Sequence, residues 1–424
     1  MILGLVVVVI GGVIALIYFG RQRSGPQLSG TINFWGVFDD SFVIQPLIDS
    51  YKAQYPRSAI DIRYTKFDPA IYEQQLVDSL AGNEGPDVLM FHNTWLPKHY
   101  NKIMTLANDS TSLANFTNMF PTVVQQDFAP DRAVYAYPLY VDTLATYYNQ
   151  DVFDAAAISL PPKTWTDLEN TIPKIRVIDR AGRITKAGAA LGGSNKSINR
   201  ATDILNLLML QSGTKMVDDD FRNATFDSPE GTQALAYYTK FANPRDSAYT
   251  WNDSLPYSLD SFAAGETAVM FNYAHQIGFL KEKSPFLRFR VVPMLQPVGA
   301  AADVNFANYW GLAASNKTTN FSLAEDFIKY LTTNLEASRK YLEATGKPPA
   351  LRTLINEYIS TKPDVGIFAA QALTARSWPE IDSAAIESIF SGMIVEINGG
   401  RKQPDRALSE AASQVTDLMQ RRAR

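Results

Sequence analysis

Between residues 31 and 91 the hydrophobic pattern changes period four times, and this alternation constrains the fold more than any other feature of the chain. Residues 31–35, TINFW, read as a strand. Asp39, Asp40 and Ser41 then offer a helix N-cap, and Ile44, Leu47, Ile48, Tyr51 and Tyr55 recur at helical spacing. Ile60, Ile62 and Tyr64 alternate along one face of a second strand. PAIYEQQLVDSLA carries Tyr72, Leu76 and Leu80 on one helical face, and VLMF reads as a fully buried strand. A β-α-β-α-β order needs crossover connections, so it implies a largely parallel sheet with helices on both faces. Ligands of such sheets bind beyond the carboxyl ends of the strands. GVFDD after the first strand and HNTW after the third are therefore expected at one functional edge.

The alternation continues downstream. AVYAYPLYVDTLATYYN, residues 133–149, is a long extended stretch without a turn signal, and AGAALGGSNKS reads as a strand entering a glycine-rich loop. Residues 201–210 read as a helix. SFAAGETAVMFNYAHQI suggests a short helix, a glycine turn, a strand and a new helix. FRVVPML and NYWGLAAS suggest two further strands, and the last hundred residues or so are mainly helical. A chain of 424 residues exceeds one average domain of about 150 residues and suggests two or three. No internal repeat or low-complexity tract interrupts it.

Composition narrows the chemistry. Net charge is −4 with both signs interspersed, so there is no basic face to track a phosphate backbone, and no nucleic-acid partner is expected. The absence of cysteine excludes zinc–thiolate sites, thiol nucleophiles and disulfides. Of the three histidines, His92 and His99 lie seven residues apart across a proline, a spacing that fits no compact metal motif. No cofactor and no metal are expected. A glycosidase would need paired carboxylates, for which Asp39, Asp40 and Asp142 are the candidates, but nothing in the sequence raises the pKa of one of them. GxSxG, P-loop and HExxH motifs are also lacking. The generous aromatic content, 12%, points instead to rings that face a ligand.

At the N-terminus residues 2–19, ILGLVVVVIGGVIALIYF, form an uncharged run at the lower limit for spanning a bilayer core of about 30 Å. Arg21 and Arg23 follow directly, without a small-residue cleavage site, so an uncleaved transmembrane anchor is favoured over a signal peptide. Those two arginines would by the positive-inside rule hold the following segment in the cytoplasm. The soluble domain is nevertheless expected on the extracytoplasmic side, because two arginines are weak evidence.

The order of motifs resembles the bacterial extracellular solute-binding proteins of ABC importers, of the maltose-binding-protein type. The resemblance rests on INFWGVFDD, GPDVLMFHNTW, YPLYVDTLATYYNQDVF, PKTWTDLENTIPKI, SFAAGETAVMFNYAHQI, NYWGLAAS followed by AEDFIKYL, GKPPALRTL and NGGRKQPDRALSEA. It implies a two-lobed α/β fold, the periplasmic-binding-protein type II fold with hinge crossovers, preceded here by an N-terminal transmembrane helix. The implied division is a transmembrane anchor or uncleaved signal over residues 1–20, a linker over 21–30, lobe 1 from 31–141 plus 265–310, and lobe 2 from 142–264 plus 311–424. Crossings fall near residues 141–144, Gly265 and residues 310–313. A small solute enclosed between the lobes, delivery to ABC importer permease subunits, and a monomeric receptor are implied as well.

A sugar presents an apolar face of C–H bonds and a rim of hydroxyls, so its site should mix aromatic rings with carboxylates and amides. That mixture recurs at the predicted strand ends, in Trp35 with Asp39 and Asp40, Asn93 with Trp95, Tyr140 with Asp142, Asn272 with Tyr273, and Trp310. By the resemblance, Asp142 takes a hinge position and Trp378 lends a ring from the second lobe. Asn195 and Trp251 are further candidates on loops of that lobe. Each has a plainer reading as well. Trp35 could end a core strand, and Asp39 and Asp40 could only cap a helix. Trp165 and the pair Tyr147 and Tyr148 are expected to pack. A cationic solute such as a polyamine, a phosphoester or a peptide, or a surface sensor or adhesion role for the same fold, are the alternatives to carbohydrate import.

Overall fold

The computed structural model of the chain describes residues 28–82 and 84–422. The apolar run at residues 2–19 and most of the expected linker lie outside them. No described helix is long and apolar enough to cross a membrane.

The first lobe is built on β1 (Gly30–Val37), β2 (Ile60–Phe67), β3 (Val88–His92), β4 (Tyr137–Pro138) and β12 (Trp310–Ala314), in the order β2-β1-β3-β12-β4. As the sequence alternation requires, β1 runs parallel to both β2 and β3. The helix Ser41–Lys52 buries Ile44, Leu47, Ile48 and Tyr51, and the helix Pro69–Ala81 buries Tyr72, Leu76 and Leu80. Asp68 caps the latter by accepting the Ala70 amide, with Pro69 preset for the first turn. β12 inserts antiparallel between β3 and β4. Its Gly311 permits the pairing, since a Cβ there would lie 2.4 Å from the Tyr137 carbonyl.

The second lobe surrounds an antiparallel sheet of β6 (Ala145–Asn149), β9 (Val269–Asn272) and β10 (Phe289–Val292), ordered β10-β6-β9. A small hairpin, β7 (Val177–Ile178) and β8 (Ile184–Lys186), stands to one side. The helices Ala201–Gln211, Pro229–Lys240, Ser383–Asn398 and Pro404–Arg422 complete its core. Between the lobes, β5 (Asp142–Thr143), β11 (Asn305–Asn308) and β13 (Ala375–Arg376) form a three-stranded sheet, β13-β11-β5. These strands are the three chain crossings.

The segment boundaries differ from those expected. β9 and β10 pair with β6, and Phe262, Phe271, Leu280 and Met294 sit in the second core, so residues 265–295 belong to lobe 2. Gly265 is a turn with φ +76, not a crossing. β12 and the helices Phe321–Thr333, Leu335–Thr345 and Arg352–Thr361 belong to lobe 1, whereas Trp378 onward returns to lobe 2. The cause is non-local: an apolar strand such as VMFN carries no mark of which sheet it will join. The first crossing is made by β5, at Asp142–Thr143, paired with β11.

Gln371 ties the crossings together. Its amide nitrogen donates to the Thr143 hydroxyl and the Leu144 carbonyl, both at 2.9 Å, and its oxygen accepts the Met294 amide at 2.6 Å. The residue is 6% exposed, so the Leu144 carbonyl and the Met294 amide would otherwise be buried unpaired.

Candidate ligand cleft

The edges of both lobes and the hinge strands enclose a cleft of about 590 Å³. That lies within the ~300–1,000 Å³ usual for small-molecule sites. From lobe 1 come Phe38 after β1, residues 92–95 after β3, Trp310 at the start of β12, and Lys347. Tyr140, Asp142 and residues 306–308 come from the crossings, and Arg200, Asp203, Asn206, Tyr273, His275, Glu380 and Glu387 from lobe 2. The rim closes where Thr94 and Ser383 bring their hydroxyls to 2.5 Å and Lys98 reaches Asp382 at 2.8 Å.

Six of the thirteen expected residues line this cleft: Asn93, Trp95, Tyr140, Asp142, Tyr273 and Trp310. Trp310 is half-buried and stands edge-on to Trp95, 5.0 Å between centroids, and to Phe38 at 5.7 Å. Trp95 is only 8% exposed, packed against Tyr72, Phe91 and His99. Asn93 commits its amide inward, donating to Asp127 and accepting the Tyr309 amide. Asp142 accepts the Thr143 and Ala274 amides at about 3 Å, which fixes the hinge carboxylate. The Tyr273 ring is covered by the Arg200 guanidinium at 5.2 Å and lies parallel to His275, while its hydroxyl donates to Asp203 at 2.8 Å.

The other seven stand outside the lining. Trp35 packs on Phe67, and exposed Asp40 pairs with Lys66 at 2.7 Å without capping the helix behind it. Asp39 is buried beneath the cleft floor, where it accepts from Lys347 at 2.6 Å and from Tyr341 at 2.8 Å. Trp251 is wholly buried and donates to Ser197. Asn272 holds Asn199, and Asn195 donates to Glu387 at 2.7 Å. Trp378 stacks on Phe390 with its indole N–H on Asn206, one layer behind the wall. Large rings near a strand end fill cores as readily as clefts, and sequence alone does not separate the two.

Sequence reasoning missed several lining residues. Phe38 lies in the flagged GVFDD segment; it is 46% exposed and has φ 67, a strained conformation for a non-glycine residue. Arg200 also has φ 67, at the start of the helix Ala201–Gln211. Lys347, Glu380 and Glu387 come from distant segments, and no local pattern announces them.

The electrostatics divide by wall. On the first-lobe side burial alone would raise Glu73, but His99 and Lys98, each at 2.7 Å, bring it down to about 2. His92, bonded to Thr94 and Asn308, is lowered by burial to about 4 and is therefore neutral. On the second-lobe side burial pushes Glu380 up to about 8, and the charges of Asp203, Glu387 and Asp127 add to this against a hydrogen bond from Ser383. Burial also raises Asp203 and Glu387.

Comparison with known proteins places this arrangement. A family model described as bacterial extracellular solute-binding protein matches residues 46–365. The chain is 26% identical over 281 residues to a Deinococcus radiodurans protein named "Probable ABC transporter-binding protein", a match covering 66% of this chain and 65% of that relative's length. It is 22% identical over 377 residues to the maltotriose-binding protein of Pyrococcus abyssi, covering 87% of this chain and 76% of that one. The structure of the sugar-binding protein MalE from Xanthomonas citri superposes with a TM-score of 0.75 at 17% identity, covering 93% of this chain and 98% of that one. At that identity the likeness speaks for the fold.

Proposed function

The chain belongs to the bacterial extracellular solute-binding proteins, whose members bind solutes rather than transform them, and from that premise we propose that it captures a carbohydrate between its lobes and hands it to an ABC importer. The observation that carries the reading is the pairing of Trp310 and Phe38, two accessible rings at the cleft, with hydrogen-bonding groups on the opposite wall. Rings take the C–H face of a pyranose by dispersion and burial. Amide and carboxylate groups meet the hydroxyls, each of which would otherwise be left unpaired on enclosure at about 1–3 kcal/mol. The names of the maltotriose-binding and sugar-binding relatives support the same ligand class.

Hinge motion supplies the mechanism. The three crossing strands are short, two to four residues each, so the lobes rotate about them and close on a bound ligand. Thr94 with Ser383 and Lys98 with Asp382 are the contacts that closure makes across the rim. The closed form is what permease subunits would read. The remaining parts of the proposal rest on sequence: a monomeric receptor, working outside the cytoplasm as its family does, tethered through residues 2–19. Protease treatment of intact cells tests the placement, and an untouched domain refutes it.

Titration of tryptophan fluorescence with a panel of mono- and oligosaccharides tests the ligand class. A saturable change with at least one sugar, lost in Trp310→Ala at unchanged melting temperature, is the expected result. A panel in which only amino acids, peptides or phosphoesters bind refutes it.

A further inference from the structure

We propose that the carbohydrate taken by this cleft carries a protonated amine, received between Glu380 and Glu387 on the second-lobe wall, so that amino sugars are the preferred class. The inference rests on the carbohydrate reading and narrows it.

The cations already present are committed elsewhere. Lys347 lies against Asp39 and Tyr341, and Lys98 against Glu73 and Asp382. On the second-lobe wall Arg200 stands 3.9 Å from Asp203 and covers the Tyr273 ring. That guanidinium acts on Asp203 and Glu387, and among the described residues no cation acts on Glu380. Glu380 is 7% exposed and lines the cleft with a hydrogen bond from Ser383. Buried carboxylates are ordinarily paired with a cation or held neutral by a proton.

A second observation concerns what the wall lacks. Asn195, behind the lining, donates to Glu387 at 2.7 Å, and among the described residues no lysine or arginine lies within ion-pair distance of Glu380 or Glu387. An ammonium group brings three N–H donors and no acceptor. The Glu380 and Glu387 carboxylates, which line the cleft, supply acceptors and charge to match that complement. A neutral hydroxyl brings a single donor and no charge, and an anionic sugar would add a negative charge beside the carboxylates of Asp203 and Glu387. Half-buried Trp310 and exposed Phe38 remain for the apolar face of the ring that bears the amine.

Protonation behaviour agrees. The groups acting on Glu380 are Asp203 on the helix Ala201–Gln211, Glu387 and Ser383 on the helix Ser383–Asn398, and Asp127 from the first lobe. Arg200 and Asn195 act on Glu387. With Glu380 near 8, the cleft wall holds a proton at neutral pH, and an incoming ammonium displaces it.

The test is calorimetric titration of the purified full chain with glucosamine oligomers of one to four units, their N-acetyl counterparts and the matching glucose oligomers. Two buffers of different ionisation enthalpy count the protons exchanged, and putrescine and spermidine serve as amines without a sugar. The expected result is binding of a free-amine saccharide at least about tenfold tighter than its neutral matches, with proton release. Glu380→Gln and Glu387→Gln should each remove that preference, with melting curves confirming that both variants fold. Glutamine reproduces a neutral acid but not a counter-ion. Neutral sugars bound as tightly, without proton release and undiminished in Glu380→Gln, overturn the amine proposal and leave carbohydrate binding standing. Binding of the polyamines alone, or of nothing in the panel, overturns both.

Discussion

The ion pair of Asp39 and Lys347 offers the sharpest test of the energetic reasoning. Asp39 ends the first strand region and Lys347 follows the helix Leu335–Thr345; their side chains are 6% and 10% exposed and meet at 2.6 Å. Tyr341 bonds both at 2.8 Å. Burial lowers the lysine's pKa, and Asp39 opposes that shift. Lys347→Met leaves Asp39 with the Tyr341 hydroxyl as its remaining side-chain donor, and breaking a buried pair in this way costs about 3–5 kcal/mol. Asp39→Asn leaves a buried ammonium and should cost a similar amount. The double variant holds no uncompensated charge, so its cost should fall to within about 2 kcal/mol of wild type. Equilibrium urea unfolding of the four proteins, followed by tryptophan fluorescence, closes the cycle. A double variant as unstable as the sum of the singles would show that the two charges are not coupled.

Trp95→Ala should destabilise the protein by about 3–5 kcal/mol, because that ring is packed among five aromatic neighbours, and a melting temperature equal to wild type would contradict the packing. Gln371→Ala leaves the Leu144 carbonyl and the Met294 amide without their partner and should cost about 1–3 kcal/mol for each group left unpaired; urea unfolding reads it. Glu380, raised to about 8, binds a proton in the fold that the unfolded chain has lost above about 4.5. Its contribution therefore favours the fold below that pH and is lost as pH rises to about 8. Thermal melts between pH 5 and 8 should show wild type losing stability relative to Glu380→Gln, and parallel curves would refute this. His92, lowered to about 4, acts in the opposite direction, taking up stability as pH rises from 4 to 6.5.

What was legible in the sequence was local. Period changes located β1, β2, β3 and the two helices between them, because each buries one face on a sheet that its neighbours form. The functional edge followed from strand polarity, and Asn93, Trp95, Tyr140, Asp142, Tyr273 and Trp310 reach the cleft. Non-local choices were not legible. VMFN and WGLAA are equally apolar, yet one joins the second-lobe sheet and the other the first. Trp251 and Trp378 carry the same ring as Trp310 but are core, since burial depends on which helix arrives to cover them. Glu380 and Glu387 belong to a segment whose place beside Arg200 is set by the third crossing.

The insertion of β12 between β3 and β4 has a consequence for biosynthesis. Roughly 220 residues separate β3 from β12, so at a synthesis rate of about 5–20 residues per second the edge of β3 facing away from β1 stays unpaired for on the order of ten to forty seconds. That edge is VLMFH, apolar on both faces, and such edges recruit other strands. The lobe nearest the N-terminus is thus the later of the two to complete its sheet. A chain of this design is best kept extended by a holding chaperone or by export in step with synthesis until its Trp310 strand has emerged.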